Sequence, residues 1–453
     1  MEVDVVIIGA GLTGLTAGFH LTKRNKRVLI LEQTDRIGGQ IHSFEADGFV
    51  FESGPNTGVV AYPEVAELFQ KLEGKCTLEV AHKESKRRLI WKGNQFHALP
   101  SGLGSAITTP LFSWTDKFRI LGEPFRAKGT NPDESVGELA ARRLGKSFVD
   151  YAVDPFLSGV YAGDPMQLTT RYALPKLYRL EQTYGSFIRG SIAKAKLPKT
   201  DRDRMATKQV FSVRGGLSRM TEALSLVIGL ENFVLQAKQI EIHPLENGKW
   251  EVGYHTAVGR EVVTASKVVT TTGAYALPQL LPFIPQDAMQ KISALYYAPV
   301  IQVGVGIKAA DAKDYCAFGG LVPSCEQRDV LGILYPSACF DGRAPQGSVL
   351  FAFFIGGVRH PEMLQKTDEE IKALVRKECH DMLKFPVDIQ PDLIRIFRHE
   401  RAIPQYRVDS GERIATVEKL MRQYPGLVIG GNLKDGIGMA DRIRQGTAIG
   451  TTI

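Results

Sequence analysis

The feature that most constrains this chain lies in its first thirty-two residues. Val3 to Ile8 is a β-branched run, and Gly9-Ala10-Gly11-Leu12-Thr13-Gly14 follows it directly. Leu12 to Lys23 reads as a helix, and Arg27 to Leu31 is a second apolar run ending at Glu32. Strand, glycine turn, helix and strand in so short a span form the βαβ unit of a parallel sheet. The glycine spacing gives each residue a task. Gly9 permits the tight turn, Gly11 lets backbone approach a pyrophosphate, and Gly14 lets helix and strand pack closely. The phosphates then meet the positive helix N-terminus. Glu32 stands where an acid accepts hydrogen bonds from ribose hydroxyls. A dinucleotide site is therefore expected.

Two further glycine sets favour FAD over NAD. Gly38-Gly39, followed by Gln40, comes shortly after Glu32. A double-glycine turn there lets backbone amides reach a second part of a long dinucleotide. Near the other end, GLVIGGNLKDGIGMADRIRQG offers Gly430-Gly431, then Gly436-Ile437-Gly438-Met439 before a helix. That second helix N-terminus suits the electron-rich pyrimidine end of a flavin.

The chain has 453 residues, 44% of them hydrophobic, enough for two or three packed domains. Its formal charge of +7 suits nucleic acid, an anionic membrane surface or an acidic small molecule, and equally a slightly basic soluble protein. Cys76, Cys316, Cys325, Cys339 and Cys379 are scattered without a CxxC pair. This argues against a disulfide framework or structural zinc and for a reducing, cytoplasmic compartment. The N-terminal apolar run passes straight into a glycine turn, so it reads as a strand and not a signal peptide. No apolar run approaches the ~18 residues of a spanning helix, so any membrane contact is expected to be peripheral.

Along the chain, residues 63–73 predict an amphipathic helix opening with proline. Residues 87–99 predict a hairpin turning at Gly93-Asn94. From 100 to about 187 the pattern is helical, with a helix at 133–144 for which Asp133 is the N-cap candidate. Residues 233–275 read as a strand meander, and 296–307, 318–335 and 349–357 as further strands. A helix at 367–384 opens at Thr367. Leu427 to Gly431 is a last buried strand before a glycine turn and a helix. Strand, glycine and helix at both ends suggest one domain built from both termini, with the middle inserted.

The N-terminal glycine run, Glu32 with Gly38-Gly39, and the C-terminal GGNLKDG together resemble the flavin amine oxidase superfamily. Its porphyrinogen oxidase branch is selected by collinear segments: RLIWKGNQFHALPSGL (88–103), PDESVGELAARRLG (132–145), DPFLSGVYAGDP (154–165), FSVRGGL (211–217), FGGLVPS (318–324), LGILYPSACF (331–340) and IPQY (403–406). The resemblance implies an α/β fold: a Rossmann-type FAD-binding domain (1–80, 211–275, 398–453), interleaved with a mixed-sheet substrate domain (81–100, 188–210, 276–397) and a helical lobe (101–187). It implies non-covalent FAD and a six-electron, oxygen-using oxidation of protoporphyrinogen IX or coproporphyrinogen III to the porphyrin of haem biosynthesis. Hydride passes from a methylene bridge to the flavin as a pyrrole N–H loses its proton.

Residue by residue, the resemblance places Arg88 on a substrate propionate, where a guanidinium fork pairs with carboxylate in two bonds. It places Phe318 against a pyrrole ring and Gly159 close to the substrate through its backbone. Gly54-Pro55-Asn56-Thr57 matches a flavin-contacting turn, and Ile240 an aliphatic residue whose backbone meets adenine. The lobe corresponds to a membrane-touching segment, mixing Leu103, Ile107, Leu111, Phe112 and Trp114 with Lys117, Arg119 and Arg126. Three departures stand out. Gln40 replaces the arginine common after the second glycine pair, Gln302 stands nearest to the lysine of amine oxidases, and GGNLKDG lacks a cysteine for covalent flavin. No catalytic residue and no metal cluster stands out, and His42, His97 and His399 read as structural. An amine oxidase, a carotenoid desaturase and a non-catalytic flavin protein stay open as alternatives. So do the choice of porphyrinogen, the electron acceptor, the oligomeric state, and whether Lys83, Lys86, Arg87 or Arg171 reach the pocket.

Overall fold

Glu2–Ile8 pairs in parallel with Val28–Leu31 on one side and with the end of Gly259–Thr270 on the other. This is the core of the computed structural model, which describes residues 1–308 and 315–453. Phe233–Val234 extends the sheet beyond Val28–Leu31. Trp250–Thr256 and Lys238–Pro244 continue it as an antiparallel meander from the first half of Gly259–Thr270. The second half of that long strand takes Leu427–Ile429 in parallel. The paired segments of Val28–Leu31 and Glu2–Ile8 are nearly all buried, which is why their sequences are continuous apolar runs rather than alternating ones.

Helix Leu12–Thr22 lies against the C-terminal helix Met439–Thr452, and glycine makes this close packing possible. A Cβ on Gly446 would stand 2.6 Å from the Thr13 carbonyl oxygen, and one on Gly450 2.6 Å from that of Ala17. Arg24 ties the pair by donating to the carbonyls of Gly450 and Ile453. The two ends of the chain thus share one sheet and one helix pair.

A second sheet runs Leu393–Pro404, Tyr297–Ile307, Val349–Gly356, Val330–Leu334, Gly319–Leu321, Arg88–Lys92, Gln95–Ala98. The hairpin at 88–98 turns at Gly93-Asn94 as expected. Every pairing is antiparallel except that of Gly319–Leu321 with Arg88–Lys92, whose register sets Gly319 opposite Arg88. Tyr297–Ile307 is buried throughout. Gly306 on it accommodates the ring of Phe49, which a Cβ would approach to 2.8 Å. This seats the small hairpin Ser43–Ala46 and Phe49–Glu52 on the sheet.

Between Leu103 and Ala195 the chain is a lobe of short helices. Arg143 at its centre is fully buried, pairing with Glu123 and Glu181 at 2.7 Å each. Three expectations are corrected here. The helix is Val136–Arg143, capped by Ser135 in a reciprocal box with Glu138. Asp133 lies outside it and pairs with Arg171 at 2.5 Å. The Ser-x-x-Glu spacing satisfies two terminal donors at once, which an aspartate upstream cannot. Leu111 and Phe112 belong to no surface patch. They are buried with Ile90, Phe112 stacking on Phe148 at 3.8 Å. Ile107 and Trp114 are exposed; the side chain of Leu103 lies outside the described set. Helix 367–384 is Asp368–Asp381, capped by Thr367 and Glu370. It stops short because Lys384 turns left-handed and its ammonium covers the Asp381 carbonyl.

Candidate functional site

A cleft of about 2010 Å³ runs from the glycine turns of the first sheet to the exposed face of the second. Single ligand pockets span roughly 300–1,000 Å³, so this one has room for a dinucleotide and a second molecule. It takes in nearly every residue singled out above.

At the first end, Gly9, Gly11, Leu12, Thr13 and Glu32 line the cleft. Ala10 and Gly14 do not. Ala10 is buried and donates its amide to Glu32 Oε2 at 2.8 Å. Gly14 packs the helix on the turn, where a Cβ would fall 2.1 Å from the Gly9 carbonyl oxygen. Glu32 Oε1 accepts from the amide and the hydroxyl of Thr34, each at 2.9 Å, so the carboxylate is held at the strand end. Gly38 and Gly39 follow with φ of +122° and +60°. A Cβ on Gly39 would come within 2.9 Å of Gly11 Cα, so the two glycine turns touch back to back. Arg36 clamps the second turn by donating to the carbonyls of Gly39 and Ile41. Gln40, in place of an arginine, lines the cleft and donates to the Ala402 carbonyl at 3.1 Å.

Gly54, Pro55, Asn56, Thr57 and Ile240 also line the cleft, as do Gly431, Gly436, Ile437, Gly438 and Met439. Gly438 is the N-cap of helix Met439–Thr452, so that helix N-terminus opens on the cleft. Arg442 is buried beneath and holds the turn, donating to the carbonyls of Lys434 and Gly436. Burial lowers its pKa.

At the other end stand Arg88, Phe318 and Gly159. The Phe318 amide donates to the Arg87 carbonyl, which fixes the ring beside Arg88. Gly159 lets helix Asp154–Tyr161 close on the second sheet, since a Cβ there would meet Leu321 Cδ2 at 2.4 Å. Between the two ends, Gln302 donates to the Glu52 carbonyl at 2.7 Å. His399 Nε2 lies 2.6 Å from the Ser53 carbonyl, so Nε2 carries the proton. His399 lines the cleft, although the sequence offered no role for it. Among the described residues the lining acids are Glu32, Asp435 and Asp441, and each is already hydrogen-bonded to protein. Of the four basic residues left open, only Arg171 reaches the cleft, and it is paired with Asp133.

Sequence reasoning missed Tyr62, Thr271 to Gly273, Lys176 and Arg179, all of which line the cleft. Thr271 to Gly273 had a readable signal, because they follow the apolar run Val268-Val269 as Gly9 follows Ile8. The others carried none.

The cavity wall suits a dinucleotide on its own evidence. The hydroxyls of Thr13 and Thr272 are buried, line the cleft and have no protein partner. They stand beside bare glycine backbone where phosphate and ribose oxygens would be accommodated. The family described as flavin containing amine oxidoreductase matches residues 12–440. The chain is also 31% identical to the chloroplastic protoporphyrinogen oxidase of Nicotiana tabacum, over 97% of this chain and 83% of that one. The chain belongs to the flavin-containing amine oxidoreductases, within the protoporphyrinogen oxidase family. As a member of that family it is an oxidoreductase, and its cofactor is FAD. Human protoporphyrinogen oxidase is 28% identical over 98% of this chain and 96% of its own length. Among solved structures, a putative protoporphyrinogen oxidase from Exiguobacterium superposes with a TM-score of 0.80 at 22% identity, covering 99% of this chain and 98% of that one. At that identity it supports the flavin amine oxidase fold alone. That fold is α/β: a Rossmann-type sheet, a mixed sheet and a helical lobe.

Proposed function

We propose that this protein oxidises a carboxylate-bearing porphyrinogen, protoporphyrinogen IX or coproporphyrinogen III, to the aromatic porphyrin, with dioxygen accepting the electrons. The observation that carries this reading is Arg88 standing over Phe318 in the cleft that also holds the dinucleotide cradle. Bound non-covalently, FAD supplies the two-electron acceptor for each of three cycles. The glycine turns, Glu32, the 54–57 turn and Ile240 hold it. Arg88 takes a substrate carboxylate in a two-pronged contact, and Phe318 packs on a pyrrole ring. Gly159 keeps the lobe close enough to exclude water. With every lining carboxylate already hydrogen-bonded to protein, the chain orients the substrate rather than offering it an acid–base pair. An amine oxidase would use a lysine where Gln302 stands, and a desaturase leaves Arg88 unexplained.

The test is flavin-loaded protein in air with each porphyrinogen, followed by porphyrin fluorescence against an enzyme-free control. Fluorescence rising well above the control supports the reading; none with either substrate rejects it.

A peripheral membrane contact belongs to the same proposal. Trp114, Phe118 and Leu121 on helix Trp114–Leu121, with Phe125 just beyond, are 60 to 83% exposed. Lys117 lies over the Trp114 ring at 4.4 Å. Aromatic side chains beside basic ones suit the headgroup region of an anionic bilayer. Among the described residues no helix is long and apolar enough to cross a membrane. Co-sedimentation with phosphatidylglycerol vesicles, lost in a Trp114→Ser/Phe118→Ser/Phe125→Ser variant, is the expected result. No binding by the unaltered protein removes the contact.

A further inference from the structure

Among the described residues, nine lysines and arginines line the cleft against three acids. Lys176 and Arg179 lie three residues apart on helix Pro175–Tyr184, so they share one face of it. Both line the cleft. The Lys176 ammonium stands 4.6 Å from the centroid of the Tyr62 ring, and the Arg444 guanidinium 4.2 Å from the same ring. Two cations thus flank one tyrosine, with Arg179 one helical turn from Lys176.

The acid nearest to them is already engaged. Asp441 accepts the Tyr62 hydroxyl on Oδ1 at 3.0 Å and the Gly438 amide on Oδ2 at 3.1 Å, and Arg444 comes no closer to it than 4.0 Å. Tyr62 is no anion either, since burial and then Asp441 push its pKa up to about 12. Arg179 donates only from Nε, to the Pro175 carbonyl, which leaves its terminal nitrogens without an acid among the described residues. Lys176 and Arg179 are both exposed at the cleft wall, and desolvation, opposed by Asp441 and reinforced by Arg444, lowers the pKa of Lys176. Unpaired cations in a concave wall repel one another unless an anion arrives.

We propose that Lys176 and Arg179, with Arg444 beside them, form a second carboxylate subsite separate from Arg88, and that the cleft therefore prefers the tetracarboxylate coproporphyrinogen III to the dicarboxylate protoporphyrinogen IX. This rests on the porphyrinogen reading above. Arg88 sits at the second sheet beside Phe318, whereas the new subsite sits between the lobe helix and the start of the C-terminal helix. Both places line the same cleft, so in this proposal a macrocycle bearing carboxylates around its rim engages both, and one bearing them on one side only engages one.

The experiment compares flavin-loaded wild type, Lys176→Met, Arg179→Gln and the double variant on both porphyrinogens, with flavin absorbance per chain as the check on folding. Arg179→Gln alone, a change at an exposed position, keeps the test open if the double variant loses flavin. The expected result is a higher kcat/KM for coproporphyrinogen III in the wild type. The double variant should raise its KM by about tenfold or more, leave kcat within about twofold and barely move the KM for protoporphyrinogen IX. Lys176→Arg should restore the wild-type KM. A wild type that prefers protoporphyrinogen IX, or variants that affect both substrates alike or neither, overturns the subsite while the porphyrinogen reading stands. A wild type that oxidises neither substrate overturns both.

Discussion

The guanidinium carbon of Arg88 lies 5.7 Å from the centroid of the Phe318 ring, on adjacent parallel strands whose register sets Gly319 opposite Arg88. An aromatic face fixes the plane of a guanidinium without using any of its donors. The Arg88 fork thus keeps its donors for a carboxylate. Arg88→Ala should raise KM for a porphyrinogen with little change in kcat. The loss of ~1.5–3 kcal/mol expected for a charged hydrogen bond is roughly ten- to 150-fold in kcat/KM. Steady-state kinetics on flavin-loaded protein measure it, and unchanged kinetics remove Arg88 from the substrate contact.

Gly39→Val should separate cofactor binding from folding. The new side chain would press on Gly11 Cα across the contact of the two glycine turns, at a left-handed φ of +60°. Flavin absorbance per purified chain should fall at least severalfold while far-ultraviolet circular dichroism is kept. Full flavin loading would show that the turns can part without harm.

Arg143→Met should be among the most damaging changes outside the cleft. It would strip the cation from Glu123 and Glu181, both buried. Breaking a buried pair on one side costs about 3–5 kcal/mol. Burial would raise the Glu123 pKa, but the Ser186 hydroxyl, the amides of Phe187 and Ile188, and Arg143 together hold it below the ordinary glutamate value. The native fold therefore favours the ionised form, and stability should fall as pH drops through the carboxylate range. Urea titrations of wild type and variant at neutral and acidic pH test both points.

His20 should act in the same direction at higher pH. Burial beside the C-terminal helix, with Lys71 adding to it, lowers its pKa to about 4. The unfolded chain binds that proton below about 6.5 and the folded chain only near 4, so stability declines as pH falls between them, by at most ~1.4 kcal/mol per pH unit. His20→Gln should flatten that slope in thermal melts. A slope unchanged by the substitution would assign it to other groups.

The helix caps illustrate what was readable and what was not. Thr367 was legible as a helix start because capping is local, and its box with Glu370 has the same spacing as that of Ser135 with Glu138. Asp133 was the wrong choice there because position alone does not reveal that Arg171, far along the chain, claims its carboxylate. Leu111 and Phe112 are a second instance. Their composition suits a surface patch, but packing on Ile90 and Phe148 makes them core.

By itself the sequence determined the dinucleotide unit, because a strand, glycines at set spacing and a helix act through backbone geometry within a few residues. It also determined that the glycine sets at 38–39 and 430–438 belong with it, and which residues to inspect at the substrate end. Only the tertiary structure decided which of the basic residues share a cavity. Lys86, Arg87 and Arg88 are neighbours in the chain, yet only Arg88 lines the cleft, whereas Lys176 and Arg444 meet at Tyr62 from distant segments. Charge acts through space, so long-range pairing of strands and helices, and not order along the chain, sets which cations face a common anion.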